Sequence, residues 1–266
     1  MIKRLVLIVS LLLATFRAEA LGGYTDVYFD PNEPGWGVFL VQSDTTQFIA
    51  FFIYGSDGKP TWYTAQLVND GSGKFTGSLY AITGTYFANP WQGYNINPAG
   101  TASFAPSDAY HATLTYTVTG VATVTKAIER QTLTPYAMAG NYSGSMSGSI
   151  SGCSDPASND PAFRGRYGLV VTQVDDQSAT LVFNFVDSTH NGVVCTATGP
   201  LTHYGRIYQM ANSTLVCTGP GEDATPEPAT IDSFHPTGQG IEGRLRSSGG
   251  GCTTSLHFAA VLNVNN

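Results

Sequence analysis

The feature that most limits what this chain can become is the interval between its turn signals. From residue 23 to residue 131, runs rich in β-branched and aromatic side chains are interrupted every ~8–12 residues by clusters of Gly, Pro, Asn, Asp and Ser, the rhythm of a β-sandwich or barrel. The runs fall at 24–29, 35–42, 47–54, 61–69, 74–82, 99–105, 110–118 and 121–131. Between them stand Asn32-Glu33-Pro34-Gly35, Ser43-Asp44, Asp57-Gly58-Lys59-Pro60, Asn69-Asp70-Gly71-Ser72-Gly73 and Thr119-Gly120. Asp57-Gly58 is the strongest hairpin signal, because both residues tolerate the positive φ of a tight turn. Only 83–98, which carries Tyr86, Pro90, Trp91 and Tyr94, reads as a long irregular connection.

A second series follows at 140–150, 166–174, 179–187, 191–199, 207–217, 228–234, 239–247 and 252–262, with a single helical turn expected within 203–212. Alternation is clearest near its end, where Ile241, Gly243 and Leu245 share one strand face and Glu242, Arg244 and Arg246 the other. About eight strands per half, joined mostly by short links, point to two tandem antiparallel meander β-barrels, since closure removes the edges that template aggregation. The alternative is two β-sandwiches. Composition divides the halves: all three tryptophans precede Thr132-Leu133-Thr134-Pro135 and all four cysteines follow it. Proline cannot donate to a strand ladder, so a first domain is expected at 21–134 and a second at 136–266.

Residues 1–20 have the pattern of a cleavable export signal: Lys3 and Arg4, an apolar run from Leu5 to Leu13 broken by Ser10, and Ala18-Glu19-Ala20 as a small-x-small site. The run falls short of the ~20 residues of a membrane-spanning helix, and no cysteine marks the site for lipid attachment. No later segment is apolar for long enough to cross a bilayer as a helix. Without Lys3, Arg4, Arg17 and Glu19, the 12 basic and 19 acidic residues become 9 against 18, a net charge of −9. That balance argues against nucleic acid or an anionic membrane surface as a partner. Periplasm and external medium both remain open as destinations.

Export to an oxidising compartment makes two disulfides the expected state of Cys153, Cys195, Cys217 and Cys252, which show no Cys-x-x-Cys spacing. Three connectivities are possible. In a closed meander the first and last strands are antiparallel neighbours, which favours Cys153–Cys252; Cys195–Cys217 then joins consecutive strands.

No catalytic constellation is visible. Gly144-Ser145-Met146-Ser147-Gly148 has the letters of a nucleophile elbow but sits in a Ser/Gly-rich strand, where the strained strand-to-helix turn is missing. His111, His190, His203, His235 and His257 are scattered without metal-ligand spacing. Asp30, Asn32 and Gly35 faintly resemble a calcium loop, yet Pro34 and the lack of a closing glutamate favour a turn held by Asx side chains. Asp30 and Glu33 as an acid/base pair for glycosides lack a cleft. Neither a metal nor a cofactor is expected.

Aromatic residues carry more information. In 47–54, Phe48, Phe52 and Tyr54 share one face while Ile49, Phe51 and Ile53 share the other, so both faces are expected to be covered. One fills the barrel; the other, assigned to Ile49, Phe51 and Ile53, is expected to meet the second domain or another subunit. Trp36 and Trp62 begin strands separated by an even number of reversals and belong at one barrel end. With Glu33, Tyr63, Trp91 and Tyr94 they form a candidate binding site at the mouth, suited to sugars or other amphipathic ligands; the competing reading is a core plug.

Residues 29–37 and 54–63, Phe-Asp-Pro-Asn-Glu-Pro-Gly-Trp-Gly and Tyr-Gly-Ser-Asp-Gly-Lys-Pro-Thr-Trp-Tyr, resemble a recurrent, largely uncharacterised module of secreted proteobacterial proteins. Its usual pattern is aromatic-Asn-Pro-x-Glu-Ser-Gly-Trp-Gly, then Tyr-Asp-x-x-Gly-x-Pro-x-Trp-Tyr. Asp30, Pro34 and Gly55 depart from it. The resemblance spans about 23–131 and implies no particular activity. In the second half, Gly140, Tyr142 and Gly144 form a Gly-x-Tyr-x-Gly opening similar to avidin-like and lipocalin-like barrels. The expected function is a secreted, non-enzymatic binding protein for a small molecule, glycan or extracellular protein. Its competitors are a hydrolase inhibitor presenting 83–98 or the acidic 219–228, an envelope structural protein, and an enzyme whose site is assembled from distant residues.

Overall fold

A computed structural model describes residues 23–249 and 251–263; the export signal at 1–20 lies outside the described residues. The first sheet comprises β1 (Asp26–Phe29), β2 (Gly37–Ser43), β3 (Thr46–Tyr54), β4 (Pro60–Asn69), β5 (Phe75–Gly84), β6 (Tyr94–Pro106), β7 (His111–Val118) and β8 (Val124–Arg130). Each strand pairs antiparallel with the next and β8 returns to β1, closing a barrel. The second sheet comprises β9 (Gly140–Ser151), β10 (Asp160–Val174), β11 (Ser178–Phe185), β12 (Val194–Pro200), β13 (Thr202–Tyr204), β14 (Ile207–Thr218), β15 (Glu227–Pro236), β16 (Gly240–Gly249) and β17 (Cys252–Leu262). Here β17 pairs with β9 and β12 with β14, so this ring also closes, with β13 a short partner of β14. Two closed rings replace the sandwich alternative.

Most strand positions match the turn chemistry, and the departures have local causes. The expected helical turn at 203–212 is instead a hairpin, β13 to β14, turning on Gly205 at φ +59°. A short 3-10 turn, Pro156–Ser158, starts with the Asp155 carboxylate accepting from the Ala157 N–H. The supposed irregular connection 83–98 is largely strand. β5 and β6 stay paired from Tyr80↔Pro98 out to Gly84↔Tyr94, whereas β4 leaves β5 at Thr64↔Tyr80 and β7 leaves β6 at Val118↔Gly100. The hairpin therefore projects beyond the barrel wall as a two-stranded arm with residues 85–93 at its tip. It departs at a bulge between Leu79 and Tyr80, opposite Gly100. Gly100 has φ +151° and lies against the Thr117 carbonyl, where a Cβ has no room.

Each barrel is filled by its own side chains. Val38, Leu40, Ile49, Phe51, Leu67, Phe75, Leu79 and Phe104 pack inside the first; Tyr167, Leu169, Phe183, Met210, Ile231, Leu245 and Phe258 pack inside the second. The first strand of each ring is pinned in the same way: the Tyr28 hydroxyl donates to the Tyr24 carbonyl (3.0 Å) and the Tyr142 hydroxyl to the Met138 carbonyl (2.8 Å). The assignment of Ile49, Phe51 and Ile53 to an interface is overturned. Ile49 and Phe51 are core residues and Ile53 packs against them, so the outward face of β3 is Phe48, Phe52 and Tyr54. Gln47 heads the inward face, fully buried, with its amide donating to Gln42 Oε1 (3.4 Å).

The barrels meet elsewhere. The strand reversals place the 44–45, 70–74 and 107–110 turns at one end of the first barrel, here the junction end, and the 30–36, 55–59, 85–93 and 119–123 turns at the opposite, free end. At the junction Arg130, its side chain almost wholly buried, pairs with Asp26 (3.0 Å) and donates to the carbonyls of Ala109 and Gly23 (2.8 Å each). Asp26 also accepts from the Arg206 backbone N–H of the second barrel (3.1 Å). Gly205 sits so close to Asp26 and Arg130 that a Cβ would collide with both. The buried Tyr110 hydroxyl accepts from the Ser233 N–H (2.9 Å) across the same contact, and burial pushes the phenol pKa up against the lowering effect of that bond. Both disulfides, Cys153–Cys252 and Cys195–Cys217, lie at the far end of the second barrel. Cys195 and Cys217 are direct cross-strand neighbours on β12 and β14.

Candidate functional site

The free end of the first barrel is where the sequence places a binding mouth, and that mouth is filled. Trp36, Ile53, Tyr63, Tyr116 and Val118 are partly buried against the core and plug the opening. Burial raises the Tyr116 phenol pKa. Glu33 at the rim is held by Lys126 of β8 at 2.6 and 2.7 Å to its two oxygens, a pairing that raises the lysine pKa. Asp30 is buried and closes its own turn, accepting from the Asn32 N–H (2.9 Å). Trp36 and Tyr63 thus behave as a plug, and Glu33 and Asp30 as turn and rim residues.

Trp62 belongs to the same end but points the other way. It pairs across from Phe52 on β3 and lies on the outer wall, 54% exposed. Phe52 packs on Phe39 of β2 with ring centroids 5.1 Å apart. Val41 and Phe48 extend this face as direct cross-strand partners, and Phe39, Val41 and Phe48 are all exposed. On the opposite flank of Trp62, Ile82 and Ile96 face each other on the arm, followed by Tyr94. One apolar strip thus runs from β2 across β3 to Trp62 on β4, and a second lies along the arm. The second ends in a tip whose rings are turned to solvent: Phe87 is 91%, Trp91 70% and Tyr94 60% exposed, with Tyr86 beside Phe87 (4.7 Å) and Trp91 beside Tyr94 (6.2 Å). Of the expected mouth residues, the structure groups Trp62, Trp91 and Tyr94 on the exterior and separates them from Trp36 and Tyr63. Phe39, Phe48 and Phe52 join the group; the sequence signal for Phe48 and Phe52 was the two-sided apolar character of 47–54, which does not reach Phe39 on β2.

A second concavity, about 2630 Å³, lies between the junction end of the first barrel and the outer wall of β14–β17 and β9. Cross-strand register sets Asp232, Arg244, His257, Ser147 and Arg164 in one row over five strands. Asp232, nearly buried, pairs with Arg244 (2.9 Å) and Arg246 (3.3 Å). Ser147, within the elbow-like letters, therefore faces His257 on a regular strand, and the carboxylate along the row is committed to arginines. That is not the geometry of an activated nucleophile.

The remaining histidines have structural surroundings. His111 and His190 each sit on the aspartate three residues earlier, Asp108 (3.0 Å) and Asp187 (2.9 Å). His235 meets Glu242 (3.4 Å). His203 stacks on Tyr208 with centroids 4.2 Å apart, and burial lowers its pKa against the opposing effect of Asp176. Burial alone raises the Asp187 carboxyl, but N–H groups of Arg166, His190 and Thr189 together with the His190 ring outweigh it and hold the pKa at about 2. Among the described residues, no group of three or more His, Cys, Asp or Glu side chains is arranged to hold a metal ion, and no helix is long and apolar enough to cross a membrane. No family model and no curated protein matches the chain.

Proposed function

We propose that the chain is an exported, non-enzymatic binding protein that captures an amphipathic ligand, a glycan in the first instance, on the aromatic exterior of its first barrel. The observation that carries this reading is the projecting arm with Tyr86, Phe87, Trp91 and Tyr94 turned to solvent, at the barrel end where Trp62 is also exposed. Monomeric proteins rarely leave apolar patches of this kind uncovered unless they bind something. Tryptophan and tyrosine join a broad apolar face to a polar edge, which suits sugar rings, whose faces carry C–H groups and whose rims carry hydroxyls. The two disulfides support an oxidising destination. The test is a glycan array with protein lacking residues 1–20, followed by titration of any hit against Trp62→Ala/Trp91→Ala. A loss of at least tenfold is expected; unchanged affinity would remove this surface as the site.

The projection itself favours a second reading. A narrow hairpin standing clear of its scaffold has the shape that enters a hydrolase cleft, so the arm also suits an extracellular hydrolase inhibitor. Inhibition of a co-secreted protease that disappears when 83–98 is cut back would favour that reading over glycan capture.

A further inference from the structure

Where the linker between the barrels crosses the first one, it encloses a pocket of about 410 Å³. One side is the outer face of β1 and β2: Val27 and Phe39 are direct cross-strand partners, and Val41 follows on the same face of β2. The other side is linker, Leu133 and Tyr136. Phe39, Val41, Leu133 and Tyr136 are all exposed. Apolar side chains from segments far apart in sequence therefore face one concavity, whose volume falls in the ~300–1,000 Å³ range of small-molecule sites.

The linker wall is fixed in place. The Gln131 N–H donates to the Val27 carbonyl (2.8 Å), the Thr132 hydroxyl to the His203 carbonyl (3.0 Å) and the Tyr136 N–H to the Tyr208 hydroxyl (2.7 Å). Pro135 restricts the backbone between the last two anchors. The wall is thus pinned once to the first barrel and twice to the second, so an occupant does not have to order it.

Asp26 and Arg206 are the charged members of the lining. The Asp26 carboxylate is already taken: almost wholly buried, it pairs with Arg130 (3.0 Å) and accepts from the N–H groups of Val27 (2.9 Å) and Arg206 (3.1 Å). Arg206 has donors to spare. Its side chain is 44% exposed, its Nε stands 3.9 Å from the Asp26 carboxylate, and its Nη2 donates to the Thr25 carbonyl (2.5 Å). Two guanidiniums, Arg130 and Arg206, meet this single carboxylate, and the charge left over lies with the exposed one, beside the apolar walls.

We infer that this pocket binds a small amphipathic carboxylate, an alkyl chain or single ring bearing one acid group. The apolar body lies between Phe39, Val41, Leu133 and Tyr136, and the acid group meets Arg206. The parallel N–H donors of a guanidinium match the two oxygens of such a head group. Because the lining draws on β1 and β2, the linker and the β13–β14 turn, the occupant touches both barrels at once. The site goes beyond the glycan reading, since neither Trp62 nor the arm belongs to it.

The test is calorimetric titration of protein lacking residues 1–20 with sodium octanoate, 1-octanol and sodium butyrate, with thermal unfolding to check that each variant folds. Octanoate is expected to bind about tenfold more tightly than octanol, and butyrate, with too little apolar surface, not measurably. Arg206→Gln, which keeps the backbone bond to Asp26, should bring octanoate and octanol to equal affinity. Leu133→Asn and Val41→Asn, both at exposed positions, should each weaken both ligands about fivefold. Trp62→Ala/Trp91→Ala should leave octanoate binding unchanged, so failure here and failure of glycan capture are read separately. No octanoate binding, equal affinity for octanol or butyrate in the unsubstituted protein, an octanoate preference that survives Arg206→Gln, or full affinity in both Leu133→Asn and Val41→Asn overturns the inference.

Discussion

At the scale of the residue, Asp187 shows how a turn becomes a stabilising device. It leads from β11 toward β12, accepting from the N–H groups of Arg166 (3.1 Å), Thr189 (3.0 Å) and His190 (3.0 Å). Its pKa of about 2 lies below that of a free aspartate, so the folded state favours the ionised form. The resulting stability is complete above the unfolded value near ~3.9 and is lost as pH falls through the folded one, an effect on the order of 2 kcal/mol. Asp187→Ala is expected to lower urea stability by about 1–2 kcal/mol at pH 7, with the gap narrowing toward pH 2; a gap unchanged between the two pH values contradicts the assignment. The Asp-x-x-His spacing at 108–111 and 187–190 is local turn chemistry, whereas in the sequence the histidines were weighed only for metal-ligand spacing. The face of Gln47 was not legible in the sequence, because a polar residue heading a strand face argues for solvent, whereas here the half-buried Gln42 supplies a partner.

At the scale of the element, turn residues announced where strands stop but not where they part company. Asp57-Gly58 and Asn69-Asp70-Gly71 mark hairpins through conformational preferences each residue carries alone. The arm depends instead on β4 parting from β5 at Thr64 and β7 ending at Val118, a relation among strands that no window of sequence contains. Likewise, the alternation of Glu242, Arg244 and Arg246 put those side chains outside, while their meeting with Ser147 and His257 required the register of β16, β17 and β9. Because Tyr80 and Pro98 are direct partners, replacing residues 81–97 by Asn-Gly should close the hairpin at the barrel wall. The thermal midpoint is expected to move by less than about 4 °C, while binding of a hydrophobic dye falls. Unfolding of the shortened protein would show that the arm is part of the barrel's closure.

At the scale of the whole molecule, the two rings have separate cores and unequal covalent support. Cys153–Cys252 spans 99 residues, and a loop of that size is worth about 4 kcal/mol by its effect on the unfolded chain. Trp36, Trp62 and Trp91 all report on the first barrel. Reduction is therefore expected to lower the urea midpoint seen by far-ultraviolet circular dichroism for the second barrel while leaving the tryptophan fluorescence midpoint in place. A fluorescence midpoint that moves equally would mean that Asp26, Arg130 and Arg206 fuse the barrels into one cooperative unit.

The closure of β17 onto β9 also sets a timetable. A chain that emerges N-terminus first presents the whole first ring once Arg130 has appeared, and that ring needs no oxidation. The second ring stays open until its last strand arrives. During that interval Cys153 waits for Cys252 while Cys195 and Cys217 appear earlier and are nearer in sequence. Bonds made strictly in order of appearance, beginning with Cys153 to Cys195, would join the wrong thiols and would need thiol–disulfide exchange to undo them.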